Sequence, residues 1–105
     1  MMSIDKQRLF ERAVRKAGIP SWLAELYDAE IVTRGPFSFC AVIATKRDGV
    51  TGPPVVVSGY GFSKCSPKDK FNPDIGYAIA LSRAATDAAK KLAKELGIGQ
   101  NEEGK

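Results

Sequence analysis

The sequence predicts an α+β domain: a three-stranded antiparallel sheet with helices packed on one face. The expected order is helix, brief second helix, three strands, long helix. Three observations carry this. Apolar residues repeat at helical spacing near both ends of the chain, and the middle alternates with period two. Gly-Pro and Asp-Gly turns then punctuate the alternating part, and connections that short favour antiparallel neighbours. The chain has 105 residues, 44% of them apolar, which suits one modest core. One domain over 1–99 is expected, followed by a flexible polar tail over 100–105.

The first helix is expected over 4–17. Ser3 can cap it, and Asp5 suits its positively polarised first turn. Leu9, Phe10, Ala13, Val14 and Ala17 form an apolar stripe, and Lys6, Arg8, Arg12, Arg15 and Lys16 lie largely off it. Gly18 can take the left-handed conformation that ends a helix, Ile19 can fold back, and Pro20 blocks continuation. The crowded apolar residues from Ser21 to Tyr27 predict the brief second helix, with Trp22 plugging the core beneath the sheet.

Strands are expected over 30–34, 37–46 and 55–63. Gly35-Pro36 separates the first two, and Asp48-Gly49 with Pro53-Pro54 separates the last two. In the second strand, Phe37, Phe39, Ala41 and Ile43 share one face, and Ser38, Cys40, Val42 and Ala44 the other. In the third, Val56, Ser58, Tyr60 and Phe62 oppose Val55, Val57, Gly59 and Gly61. The two glycines leave their face bare, which admits another backbone or a ligand, or a sharp twist. The last helix should begin at Pro73 behind an Asn72 cap, with Asp74 in its first turn. Its stripe of Ile75, Ala78, Ile79, Ala85, Ala89, Leu92, Ala93 and Leu96 is alanine-rich, so it can approach the sheet closely. Gly97-Ile98 repeats the ending at Gly18-Ile19.

Function is narrowed first by exclusion. There is no histidine, which removes Ser-His-Asp and Cys-His catalysis and the commonest zinc ligand. Cys40 and Cys65 read as buried free thiols. No enzymatic activity, metal or cofactor is expected. No apolar run approaches a membrane span, and the charged start lacks a signal peptide's apolar segment, so a cytoplasmic protein with no membrane partner is expected. The net charge of +4 is compatible with a polyanion.

The stretch between the third strand and the last helix carries Lys64, Lys68 and Lys70. A helix N-terminus offers free N–H groups, and lysines in the preceding loop add phosphate contacts. The bland alternative is a solvated loop balanced by Asp69 and Asp74. On the last helix, Asp87 stands four residues from both Arg83 and Lys91, a spacing that favours simple helix-stabilising pairs. Arg83 lies at the stripe's edge, where it can clamp a phosphate, and Lys90 lies opposite the stripe. Tyr60, Phe62 and Tyr77 read as core packing of strand against helix, with stacking on bases as the functional alternative.

Family resemblances sit on these same features. Gly59-Tyr60-Gly61-Phe62-Ser63-Lys64 resembles the G-x-G-x-S-K stretch of double-stranded-RNA-binding domains. Gly35-Pro36 resembles their first turn, and Ala84-Ala85 with Ala88-Ala89 resembles their helix-packing alanines. That resemblance implies the α-β-β-β-α order and a lysine-rich phosphate contact that starts at Lys64. The expected function is sequence-tolerant nucleic-acid binding, with double-stranded RNA favoured and DNA admitted, through Lys64, Lys68, Lys70, Arg83, Lys90 and Tyr60. The chain departs from it where Ser66 to Asn72 is inserted and where Phe37 and Ser38 replace the family's histidine. Ala84 to Gly99 is similar to the main helix of single-strand-annealing recombination proteins. The stretch from Cys65 to Ala84 also looks like small phage proteins of unknown function. The competing expectation is a phage-encoded anti-defence inhibitor that binds a host defence protein, such as a CRISPR effector, or a nucleotide signal. A homodimer through the free sheet face or Trp22 is a further option.

Overall fold

A computed structural model of the chain describes residues 5–47, 49, 52–64 and 73–98. The elements run α1 (Lys6–Lys16), β1 (Ala24–Arg34), β2 (Phe37–Lys46), β3 (Val56–Lys64) and α2 (Pro73–Leu96). The strands form one antiparallel sheet in the order β1-β2-β3. Both helices lie over one sheet face, and α2 covers β2 and β3. This is the α+β class and the α-βββ-α order that the periodicities predict.

Both helix ends are built as the sequence indicates. Gly18 and Gly97 have φ of +85° and +74°. Ile19 N–H reaches back to Val14 O at 3.0 Å and Ile98 N–H to Ala93 O at 2.8 Å, so each pair closes the same six-residue cap. At the start of α1 the cap is Asp5, whose carboxylate accepts from Arg8 N–H at 3.1 Å. Ser3 and Asn72, expected as caps, lie outside the described residues, as do Cys65, Lys68, Lys70, the inserted loop 66–72 and the tail.

The brief second helix does not form. Residues 21–23 are a turn, and β1 begins at Ala24, well before the expected 30–34. A bulge hid the strand. Leu26 pairs with Ala44 and Asp28 with Ile43, leaving Tyr27 as an extra residue. With Tyr27 set aside, Ala24, Leu26, Ala29 and Ile31 point inward and Glu25, Asp28, Glu30 and Val32 point outward, in strict alternation. The bulge shifts the phase by one and makes the run look crowded. Trp22 consequently stands outside the sheet on the turn, 64% exposed, and is no core plug. Ile19 fills the core in its place. Arg47 ties the turn down by donating to Trp22 O at 2.9 Å and Ala24 O at 3.1 Å.

Where α2 meets the sheet, the core is built largely from small side chains. Ala80, Ala84, Ala85, Ala88 and Ala89 of α2 are fully buried, over a sheet face of Ser38, Cys40, Val42, Ala44, Gly59, Gly61 and Ser63. A Cβ on Gly59 would sit 2.3 Å from Ala88 N, and one on Gly61 would sit 2.1 Å from Ala80 O. The bare glycine face is therefore filled by helix backbone. Ser63 Oγ donates to Gly76 O at 2.8 Å and fastens the start of α2. Cys40 is a buried free thiol whose pKa desolvation raises to about 11 against the opposing charge of Lys6.

Candidate functional site

Small facing small leaves the large side chains on the other side of the sheet. The outward residues form cross-strand rows of Arg34–Phe37–Lys64, Val32–Phe39–Phe62 and Glu30–Ala41–Tyr60. Tyr60 and Phe62 are 52% and 50% exposed, so core packing is wrong for both. The reason is that Gly59 and Gly61, not the aromatics, meet α2. Tyr77, the third of that set, is partly buried and packs against the core.

The four outward aromatics pair diagonally. Phe37 and Phe62 stack with ring centroids 5.7 Å apart, and Phe39 and Tyr60 at 6.1 Å. Two ammonium groups lie over this surface. Lys64 Nζ is 5.5 Å from the Phe37 ring centroid, and Lys91 Nζ is 5.3 Å from that of Tyr60.

The free edge of β3 is braced by α2. Arg83 Nη1 donates to Phe62 O at 2.7 Å, Tyr60 N–H donates to Asp87 Oδ2 at 3.0 Å, and Lys91 Nζ donates to Ser58 O at 2.8 Å. The match is geometric. Four helical residues advance about 6 Å and two strand residues about 6.6 Å, so Arg, Asp and Lys one turn apart meet carbonyl, amide and carbonyl in register. The expected helix pairing is thus only part of the story. Lys91 and Asp87 do pair at 3.1 Å, but both also seal a strand edge against unwanted pairing.

Partial burial pushes the Asp87 carboxyl up. The Tyr60 N–H bond and the Lys91 and Lys90 ammonium groups outweigh it and hold the pKa below the ordinary 3.8. A carboxylate with a lowered folded pKa stabilises the fold above its unfolded value. That contribution disappears as pH falls through the lowered one. Asp87→Asn keeps an acceptor for Tyr60 N–H and removes the charge. It should cost less than about 1 kcal/mol at pH 7, since solvent screens the exposed pair. In urea melts, the gap between wild type and variant should close below about pH 3.8. A gap that persists at pH 2 would remove the charge from the explanation.

On the outer helical side, two shallow hollows adjoin. Ser82, Arg83, Thr86, Asp87 and Lys90 line one of about 250 Å³. The second is lined by Arg12 and Lys16 of α1 with Leu9 and Ala13, and it shares Ser82 and Thr86 with the first. Together they make a shallow open groove along α2, with Arg12 and Lys16 of α1 on one side, Arg83 and Lys90 of α2 itself on the other, and exposed Ser82 and Thr86 common to both hollows. Among the described residues lining it, Asp87 is the one carboxylate, and it is already engaged.

Of the six residues singled out from sequence, the structure brings Arg83 and Lys90 to this groove, Lys64 and Tyr60 to the sheet face, and leaves Lys68 and Lys70 outside its description. Sequence reasoning missed Arg12 and Lys16 as groove residues, and Arg34, Phe37 and Phe39 as surface. Only the choice of covered face could have revealed the last three. Among the described residues, no three His, Cys, Asp or Glu side chains gather as a metal site, and no helix is long and apolar enough to cross a membrane. No protein-family model, curated protein or solved structure matches this chain.

Proposed function

We propose that this chain is a small, non-enzymatic, cytoplasmic module that binds nucleic acid through its phosphates. The observation that supports this is the shallow groove on the outer helical side, where Arg12 and Lys16 of α1 and Arg83 and Lys90 of α2 gather around Ser82 and Thr86. Guanidinium and ammonium groups neutralise phosphate oxygens, and hydroxyls donate to them, with no demand on base sequence. In the sequence, Lys64, Lys68 and Lys70 precede α2 and carry the same phosphate-neutralising chemistry. The resemblance to double-stranded-RNA-binding domains belongs to this proposal, and so does the absence of catalysis.

Fluorescence polarisation with labelled double-stranded RNA, double-stranded DNA and single strands, at low and near-physiological salt, tests it. Binding should weaken steeply with salt. The triple variant Arg12→Ala/Lys16→Ala/Lys90→Ala should weaken binding to every nucleic acid. It should also flatten the log–log salt slope by about 0.7–0.9 for each phosphate that is no longer neutralised. Arg83 is spared because it also braces β3. An unchanged slope would remove the groove from the proposal. No binding to any strand at low salt would remove nucleic acid altogether.

A further inference from the structure

From the sheet face opposite the groove, we infer that the unpaired bases of a single-stranded nucleic acid stack on Phe37, Phe39, Tyr60 and Phe62. The inference rests on the nucleic-acid reading above and names its ligand class. An open patch of four aromatics is costly to leave in water and marks a surface that meets something. Its chemistry selects the occupant. The rings lie in two stacked pairs along β2 and β3, Phe37 with Phe62 and Phe39 with Tyr60, a stack that further flat rings can extend. Each base has a π-face of its own, and a strand offers successive ones.

The charges flank this platform as a strand requires. Lys64 and Lys91 stand over its two ends, and Arg34 shares the outer row with Lys64. Glu30, Asp28 and Glu25 also point outward on β1, from the Tyr60 row onward, so the Arg34–Lys64 end is the one that draws phosphates most strongly.

The route from groove to platform decides between strand and duplex. It passes round the β3 edge, where Arg83 and Lys91 already reach over from α2. A duplex is stiff over roughly 50 nm and cannot turn from one side of a single sheet-and-helix layer to the other. An unpaired strand can turn at every residue, with phosphates in the helical groove and bases on the sheet.

The test uses the full chain with three labelled probes of equal length: a single strand, its duplex, and an abasic strand that keeps phosphates and lacks bases. The single strand should bind tightest. Phe39→Leu/Phe62→Leu keeps an apolar cover for the strands and removes two π-faces. It should weaken single-strand binding about 5- to 150-fold for each base that no longer stacks, and leave abasic binding unchanged. Phe62→Ala alone should show the same direction, should the double variant fold poorly. Equal binding of the abasic strand, or duplex binding as tight as single-strand binding, would overturn the inference while the phosphate proposal stands. No binding of any probe would overturn both. Light scattering should give a monomer. A dimer that Phe39→Arg/Phe62→Arg dissociates would assign the face to a second copy of the chain and overturn the inference as well.

Discussion

Gly61→Ala should be among the most damaging single substitutions in this protein. The new methyl carbon would lie 2.1 Å from Ala80 O and 2.4 Å from Ala84 N, both backbone atoms of α2. No side chain can swing aside to relieve such a contact. The helix itself must lift from β3, and Ala80, Ala84 and Ala88 lose their packing together. Overpacking ordinarily costs about 1–3 kcal/mol, and a clash between backbones falls at or beyond the upper end. A loss of at least about 3 kcal/mol lowers the midpoint of a thermal melt by roughly 12–24 °C in a domain this small. Gly35→Ala is the control. Gly35 has φ of +56° and nothing within 4 Å of an added Cβ, so only the left-handed backbone is penalised. That substitution should cost only about 1–2 kcal/mol. If Gly61→Ala melts within a few degrees of wild type, the close approach of α2 to β3 is wrong.

The second large effect is expected at Phe10. α1 has 11 residues, shorter than an isolated helix needs to persist in water. Its fully buried residues are Phe10, Ala13 and Val14, and two of these are small, so Phe10 supplies most of the buried area that docks it. Phe10→Ala should cost about 3–5 kcal/mol, a large share of the 5–15 kcal/mol of a typical domain. Hydrogen exchange locates the loss. Amides of α1 should exchange well before those of β2, because with Phe10 gone α1 keeps Ala13 and Val14 in the core and the bond from Lys6 Nζ to Ala29 O at 3.2 Å. Phe10→Leu should restore most of the protection. Unchanged protection of α1 in Phe10→Ala would show that the docking lies elsewhere.

The two effects have a common origin in how small side chains are distributed. Alanine every three to four residues in α2 and Gly59-Tyr60-Gly61 in β3 are both plain in the sequence, and their complementarity indicates close packing. The caps at Gly18 and Gly97 were legible for the same local reason, since the signal is a left-handed glycine followed by an apolar residue. β1 was not legible, because the extra residue at Tyr27 put the alternation out of phase. Trp22 was misplaced with it.

The candidate site divides along the same line. Arg83 and Lys90 could be marked from their places on a helical wheel, which is a local property. Arg12 and Lys16 became groove residues only when α1 lay beside Ser82 and Thr86 of α2, some seventy positions away in the chain. The aromatic face turned on one tertiary choice. Alternation alone separates Phe37, Phe39, Tyr60 and Phe62 from Ser38, Cys40, Gly59 and Gly61, and it is silent on which set the helices cover. A general preference for buried aromatics points to the first set. The structure takes the second, because backbone can approach backbone only across glycine, alanine and serine. By itself, then, the sequence determined the α+β class, the glycine-capped C-terminal ends of both helices and the two faces of β2 and β3. The tertiary fit of α2 against Gly59 and Gly61 decided which face became core and which was left as surface, because a Cβ at either glycine would collide with the helix backbone.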